Sequence, residues 1–204
     1  NGRDNTCTHV LGQNEPDNTS GGGEVNTYVS TIAKDLRGDG KGGTTTLMDV
    51  AHEFLYSGMR IGTFACCNPR TDWVTDYVNR CREANIRVDF VATHYYKGGQ
   101  SPANCINDLK SLHNATGLPV WVTEWNNGAN WTSEGGFNTD SYGWYNWGGS
   151  NDNKMNGVWL TDVLKRAENE PWLERLAVYH AVESKRELWN WGNNQPTEGG
   201  KVYA

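Results

Sequence analysis

The stretch HVLGQNEPD, residues 9–17, carries a short apolar run into an amide, an acid and a proline. His9-Val10-Leu11-Gly12 reads as a strand, Asn14 and Glu15 as its polar end, and Pro16 as its stop. The proline disfavours helical geometry in the residue before it, so Glu15 is expected to be extended. Taken alone, the stretch is equally a turn that contains an acid. A second stretch, PVWVTEW at 119–125, repeats the design, with Val120-Trp121-Val122 leading to Thr123 and Glu124. In parallel α/β folds the C-terminal ends of the strands share one active face, so two strands ending in glutamate would point both acids at one mouth.

The sequence around these stretches alternates strand-like and helix-like segments, the signature of a parallel α/β architecture. Strands are expected at 9–14, Arg60–Ala65, Val88–Tyr96, Pro119–Trp125 and Leu173–Val182. Helices are expected at Leu47–Tyr56, from Thr71 or Asp72 as N-cap through the run containing Trp73, Val74, Tyr77, Val78 and Cys81, from Pro102 onward, and at Met155–Glu168. Short helices around Tyr28–Leu36 and in the tail TEGGKVYA complete the expectation. The strands are largely apolar, as when both faces are covered. These segments make five strand-plus-helix units, with no repeat and no interdomain linker. A closed βα barrel needs eight units and about 250 residues, so the expectation is an open sheet or an incomplete barrel within one domain.

Composition narrows the partners. The chain has 204 residues and a formal net charge of -6, with a pI near 5.3 and a mean hydropathy of -0.73. An acidic chain is poorly suited to nucleic acid or to an anionic membrane surface, and no window reaches the roughly 18 to 20 apolar residues of a membrane helix. Ten Trp and nine Tyr stand among abundant Asn and Gly, a mixture that suits sugars: flat apolar faces stack on rings while hydroxyls bond to amides and carboxylates. Core packing is the alternative use of each ring. The five cysteines, Cys7, Cys66, Cys67, Cys81 and Cys105, show no zinc spacing. One or two disulfides in a secreted or periplasmic protein, or a set of buried thiols, both fit them.

Two carboxylates flanking a polar cleft can divide acid/base and nucleophile work on a glycosidic bond. Glu15 and Glu124 are the candidate pair. A third strand end brings His94, Tyr95 and Tyr96, where an imidazole or phenol can hydrogen-bond a neighbouring carboxylate and favour its ionised form; satisfying a buried backbone group is the other role open to His94. His9, His52, His113 and His180 show no metal-site spacing. The long loop after Glu124 holds Trp125, Trp131, Phe137, Tyr142, Trp144, Tyr145 and Trp147, a candidate sugar-stacking wall if the rings do not pack on one another. Glu183, Arg186, Glu187 and Trp189 follow the last strand and are candidates for the mouth or for surface ion pairs.

The segments LGQNEPD (11–17), RIGTFA (60–65), RVDFVATHYY (87–96), LPVWVTEW (118–125) and LERLAVYHAVE (173–183) together resemble glycoside hydrolase family 128, in that family's order. The resemblance implies a (β/α)8 TIM barrel whose catalytic glutamates stand on strands four and seven, and retaining hydrolysis of β-1,3-glucan without a metal or other cofactor. It implies Glu15 as general acid/base, Glu124 as nucleophile, Asn14 at the sugar 2-hydroxyl, and His94 and Tyr96 lining the sixth strand end. Trp125, Trp131 and Trp144 are then substrate-binding candidates. It also makes residue 9 the start of strand four, so the chain is expected to hold strands four to eight only, a C-terminal part of one catalytic barrel with exposed strand edges. The chain departs from the family pattern at Tyr95, where Trp is common, at Gln13, where Phe is usual, and in the expanded Gly21–Gly43 stretch. The expected partner is a β-glucan or related polysaccharide and the expected state a monomer. Hydrolysis of another β-linked polysaccharide, or glycan binding without cleavage, are the alternatives.

Overall fold

The computed structural model describes residues 7–18, 47–97, 100–126, 154–179, 188–197 and 200–201. The elements run β1 (His9–Val10), α1 (Leu47–Phe54), β2 (Arg60–Ile61), α2 (Thr71–Glu83), β3 (Val91–Tyr95), α3 (Pro102–Thr116), β4 (Val120–Trp125), α4 (Lys154–Ala167), β5 (Leu173–Val178), β6 (Trp189–Asn190) and β7 (Gln195–Pro196). The α/β alternation expected from the sequence is therefore present, and each expected strand and helix that falls on described residues appears. The expected helix at 28–36 lies outside them. No helix among the described residues is long and apolar enough to cross a membrane. The chain divides into two compact units: Asn1–Thr93 with Ser111–Trp121, and His94–Lys110 with Val122–Ala204.

In the first unit, neighbouring strands follow chain order. β1 pairs in parallel with β2, and the pairing runs on past both strands: Gly62 donates to Val10, Gly12 to Thr63, Ala65 to Gln13 and Glu15 to Ala65, at 2.9, 3.2, 2.9 and 2.7 Å. Parallel bridges join Gly62 to Phe90 and Cys66 to Thr93, and Val91 donates to Pro119 at 2.8 Å. Regular pairing covers only two residues of β1 and β2, so these strands are shorter than expected although their ladder is long. Gly12 permits the close approach. A Cβ there would lie 2.7 Å from the Phe64 nitrogen and 2.9 Å from the Thr63 oxygen, both backbone atoms that cannot swing away.

Helix α2 covers one side of this unit because its apolar residues recur at helical spacing. It buries Trp73, Val74, Tyr77, Val78 and Cys81, and Phe64 meets Trp73 and Tyr77 edge-on with centroids 6.3 and 5.0 Å apart. Burial of each large side chain stabilises by about 1.5–3 kcal/mol. The helix start differs from expectation. Arg70 is the N-cap and no side chain caps the helix. Thr71 instead pairs its hydroxyl with Ser111 at 3.1 Å, and Asp72 receives two bonds from Arg70. The helix thus begins one residue earlier than a Thr71 cap would place it, with Thr71 and Asp72 as its first two residues. A second aromatic group joins Phe90 stacked on Trp121 at 4.2 Å, with His9 4.7 Å from Trp121.

Strands β3, β4 and β5 form a three-stranded sheet in the order β3-β4-β5, and its residues 94–95, 122–125 and 173–178 belong to the second unit. Tyr179, just past β5, donates to Trp125 at 3.0 Å, and Asn126, just past β4, donates to Tyr95 at 3.0 Å. One face of these strand ends packs on helices. Trp159 of α4 lies 5.6 Å from Trp125 and 6.4 Å from Tyr95, centroid to centroid; Cys105 and Leu109 of α3 and Leu160 and Val163 of α4 are buried as well. Pro102 opens α3 as its first residue, where its missing N–H removes no helical bond.

Two expectations need correction here. All of β3 is buried, but β5 is not: Glu174, Arg175 and Ala177 are exposed. Among the described residues β5 pairs with β4 alone, and charge on a strand with one free side suits an edge. The antiparallel hairpin β6-β7 was not expected. Its strands are two residues each, and its turn rests on Asn190 Oδ1 accepting from Gly192 and Asn193, with Asn194 at φ 57°. Asn tolerates that left-handed geometry better than most residues. In the tail, residues 200 and 201 are helical.

Candidate active site

Glu15 stands where the β1 ladder ends, and the ladder grips its backbone. Its N–H donates to Ala65 at 2.7 Å, and its carbonyl accepts from Asn18 at 3.0 Å. Asn18 Nδ2 also donates to Glu15 Oε2 at 2.7 Å, and Cys67 N–H donates to Asp17 Oδ1 at 2.9 Å. The residue is buried and sits at φ 40°. The extended backbone expected of a residue before proline is therefore wrong. The bonds before and after Glu15 bend it into the left-handed region, at a cost of about 1–3 kcal/mol for a non-glycine residue. Such strain persists where the surroundings over-determine a conformation, and catalytic positions are frequent examples.

Glu124 is held differently. Residues alternate across a strand, so Glu124 and Trp125 face opposite ways, as do Tyr95 and its neighbours His94 and Tyr96. The Tyr96 hydroxyl donates to Glu124 Oε2 at 2.7 Å, and His94 Nδ1 lies 3.3 Å from the same oxygen. The His94 and Tyr96 rings meet edge-on at 6.1 Å. Both are buried, while the Glu124 side chain keeps 29% of its surface exposed. A carboxylate fixed through one oxygen by two rigid rings presents its other oxygen in a defined direction, as an attacking group requires. Contact with the acid, one of the two roles open to His94, is observed.

The opposite face of the same strand ends is core. Trp125 is fully buried with its ring against Trp159, which corrects its reading as part of a sugar-binding wall: the alternation that turns Glu124 one way turns Trp125 the other. Tyr95 points into the same layer and donates to Asp108 at 3.3 Å, where Lys97 also binds at 3.0 Å. Burial, with Cys105 and Asp108 nearby, pushes the Tyr95 phenol far above its ordinary range.

All five cysteines are free thiols, and Cys66, Cys81 and Cys105 are buried. Of the two readings of the cysteines, the structure has the buried thiols and not the disulfides. Burial raises the thiols of Cys66 and Cys105 far above the ordinary range, and raises Cys81 to about 11.

Asn14 is exposed and bridges in parallel to Ala65. Trp131, Trp144, the other rings of the long loop, Glu183, Arg186 and Glu187 lie outside the described residues. Trp189 belongs to β6 and meets Trp191 at 6.5 Å. Sequence reasoning missed three residues. Asn18 is one, and a polar residue three positions after an acid in a turn is a usable signal. Asn126, fully buried, had no signal beyond lying just after a strand, and Tyr179, whose ring meets Tyr96 edge-on at 6.0 Å, lay unremarked inside the strand expected at Leu173–Val182.

The glycosyl hydrolase catalytic core family model matches residues 1–203. No curated protein matches the chain. Three solved structures are similar over nearly all of it. An endo-β-1,3-glucanase of glycoside hydrolase family 128, subgroup I, from Amycolatopsis mediterranei in complex with laminaritriose has a TM-score of 0.69 at 18% identity, covering 96% of this chain and 71% of that one. A curdlan-specific exo-β-1,3-glucanase of subgroup III from Blastomyces gilchristii, in complex with glucose, has a TM-score of 0.62 at 18% identity, covering 96% and 69%. A subgroup VII oligosaccharide-binding protein from Cryptococcus neoformans has a TM-score of 0.55 at 15% identity, covering 96% and 66%. At such identities the likeness is one of fold.

Proposed function

This chain belongs to the glycosyl hydrolase catalytic core family, and from that premise we propose that it is a retaining hydrolase of β-1,3-glucan, with Glu124 as nucleophile and Glu15 as general acid/base. Glu124 attacks the anomeric carbon while Glu15 protonates the departing glycosidic oxygen. Glu15 then takes a proton from the water that breaks the glycosyl ester, and the anomeric configuration is restored. The single observation that carries this reading is the fixation of Glu124 by Tyr96 and His94, which suits an attacking carboxylate. Glu15 on its strained, bonded turn suits a proton carrier whose position must not drift.

The substrate follows from two supports: the segments that resemble family 128, and the glucan-degrading proteins of that family among the similar folds. In the same reading, β1 to β5 are strands four to eight of a (β/α)8 barrel, and residues 1–204 are part of one catalytic domain. Asn14 contacts the sugar 2-hydroxyl, and Trp131 and Trp144 supply stacking faces. A polymeric glucan does not cross a membrane, which favours a secreted or periplasmic location, and the enzyme works as a monomer on that one partner. The oligosaccharide-binding relative marks the competing reading, binding without cleavage.

Azide rescue separates these readings. Retention demands carboxyl groups about 5–5.5 Å apart on opposite faces of the sugar ring. With an aryl β-laminaribioside, Glu124→Ala plus azide should give the α-glycosyl azide, and Glu15→Ala plus azide the β-glycosyl azide. The same azide configuration from both variants would remove the role assignment. A wild-type protein that binds laminari-oligosaccharides but releases no reducing sugar would establish the binding reading instead.

A further inference from the structure

We propose that Asn126 is a positioning residue, a clasp across three strand ends that holds Tyr96 on the Glu124 carboxylate. The inference rests on the reading of Glu124 as nucleophile. Asn126 is fully buried, which is uncommon for an amide and costly unless its groups are bonded. Its backbone N–H donates to the Tyr95 carbonyl at the end of β3, and its Nδ2 donates to the Tyr179 carbonyl just past β5 at 2.8 Å. Tyr179 returns a bond from its own N–H to Trp125. One residue thus ties the ends of β3, β4 and β5 together, to β3 through its backbone and to β5 through its side chain, two residues beyond Glu124.

The tied atoms are next to those that hold the carboxylate. The Tyr95 carbonyl directly precedes Tyr96 in the chain, and Tyr96 donates to Glu124. The Tyr179 ring braces Tyr96 edge-on from the β5 side. On the far face, Trp125 is locked against Trp159, so the backbone between Glu124 and Asn126 is anchored in the core as well. Loss of the side-chain amide frees the Tyr179 carbonyl and lets the β5 end part from β4. Tyr96 then loses its brace and with it the geometry of its bond to Glu124.

The test pairs kinetics with an activity-independent signal. Asn126→Leu is near-isosteric and lacks the donor, whereas Asn126→Ser keeps a donor and covers the case in which Asn126→Leu fails to fold. With β-1,3-gluco-oligosaccharides, Asn126→Leu should lower kcat roughly 10- to 100-fold, the worth of a charge-assisted hydrogen bond, with KM little changed, and Asn126→Ser should restore part of it. In protein carrying isotope-labelled tyrosine, the Tyr96 phenolic carbon resonance should move toward that of a free tyrosine in Asn126→Leu. An unmoved Tyr96 resonance, or a KM effect with kcat intact, overturns the proposal. A wild-type protein without hydrolytic activity, combined with the shifted Tyr96 resonance, leaves the clasp standing and removes the hydrolase reading.

Discussion

The two glutamates end similar strands and are held by opposite means. Glu15 is placed by main chain: a ladder from Gly62 to Ala65 and a left-handed φ, with the Asn18 amide donating to its carboxyl. Glu124 is placed by side chains: a phenol and an imidazole from the next strand converge on one oxygen, and a buried tryptophan follows it. A group that must exchange a proton in both directions gains from a fixed backbone. A group that must attack along one line gains from a fixed carboxyl orientation. The means of holding each acid thus matches the role proposed for it.

Substitution tests that contrast, largest effect first. Glu124→Gln should lower kcat on the order of 10^5-fold, as removal of a nucleophile does, measured by reducing-sugar release from laminarin. Wild-type rates after this change would end the assignment. Glu15→Gln should lower kcat about 10²- to 10⁴-fold on a glucan, the usual worth of general acid/base catalysis. The loss should shrink with an aryl leaving group that departs without a proton. An equal loss on both substrates would erase the distinction between the two acids.

Tyr96→Phe should lower kcat roughly 10- to 100-fold through the missing charge-assisted bond. Asn18→Ala, at the corresponding place beside Glu15, should cost less than that, because the main chain still holds the acid. If Asn18→Ala proved the more damaging, side-chain support would matter more at the first strand end than at the second.

The smallest effect concerns the layers beneath the acids. With iodoacetamide at pH 8, exposed Cys7 should alkylate first, whereas Cys66 and Cys105 should resist until the protein unfolds. Only the thiolate reacts, and burial raises both thiols. A Cys81 thiol raised to about 11 is only about one part in a thousand thiolate at that pH. Prompt labelling of Cys66 but not Cys105 would show that the ladder under Glu15 opens while the layer behind Glu124 stays closed.

Much of this arrangement was legible along the chain, because period and punctuation are local properties. Alternation of apolar runs with helical spacing gave β1 to β5 and α1 to α4, and the repeat of an acid after a strand singled out Glu15 and Glu124. Pro102 marked a helix start correctly because proline acts on its own backbone. Thr71 and Asp72 did not cap α2, since the helix begins at Thr71 itself and the Thr71 hydroxyl pairs with Ser111, forty positions away in sequence. The left-handed Glu15 was hidden for the same reason: Pro16 argued for an extended residue, and the Ala65 and Asn18 bonds outweighed it.

By itself the sequence determined the order of β1 to β5 and α1 to α4, the two candidate acids, and His94 and Tyr96 as residues able to serve one of them, since those depend on residue type and spacing. It could not decide which face each residue takes at a strand end, and so Trp125 passed for a binding-wall ring. Only the tertiary structure set Trp125 into the core, converged His94 and Tyr96 on one oxygen of Glu124, and buried Asn126 between three strand ends. These outcomes depend on contacts between segments distant in sequence, each formed at the expense of water or of a local partner that the sequence alone leaves equally available.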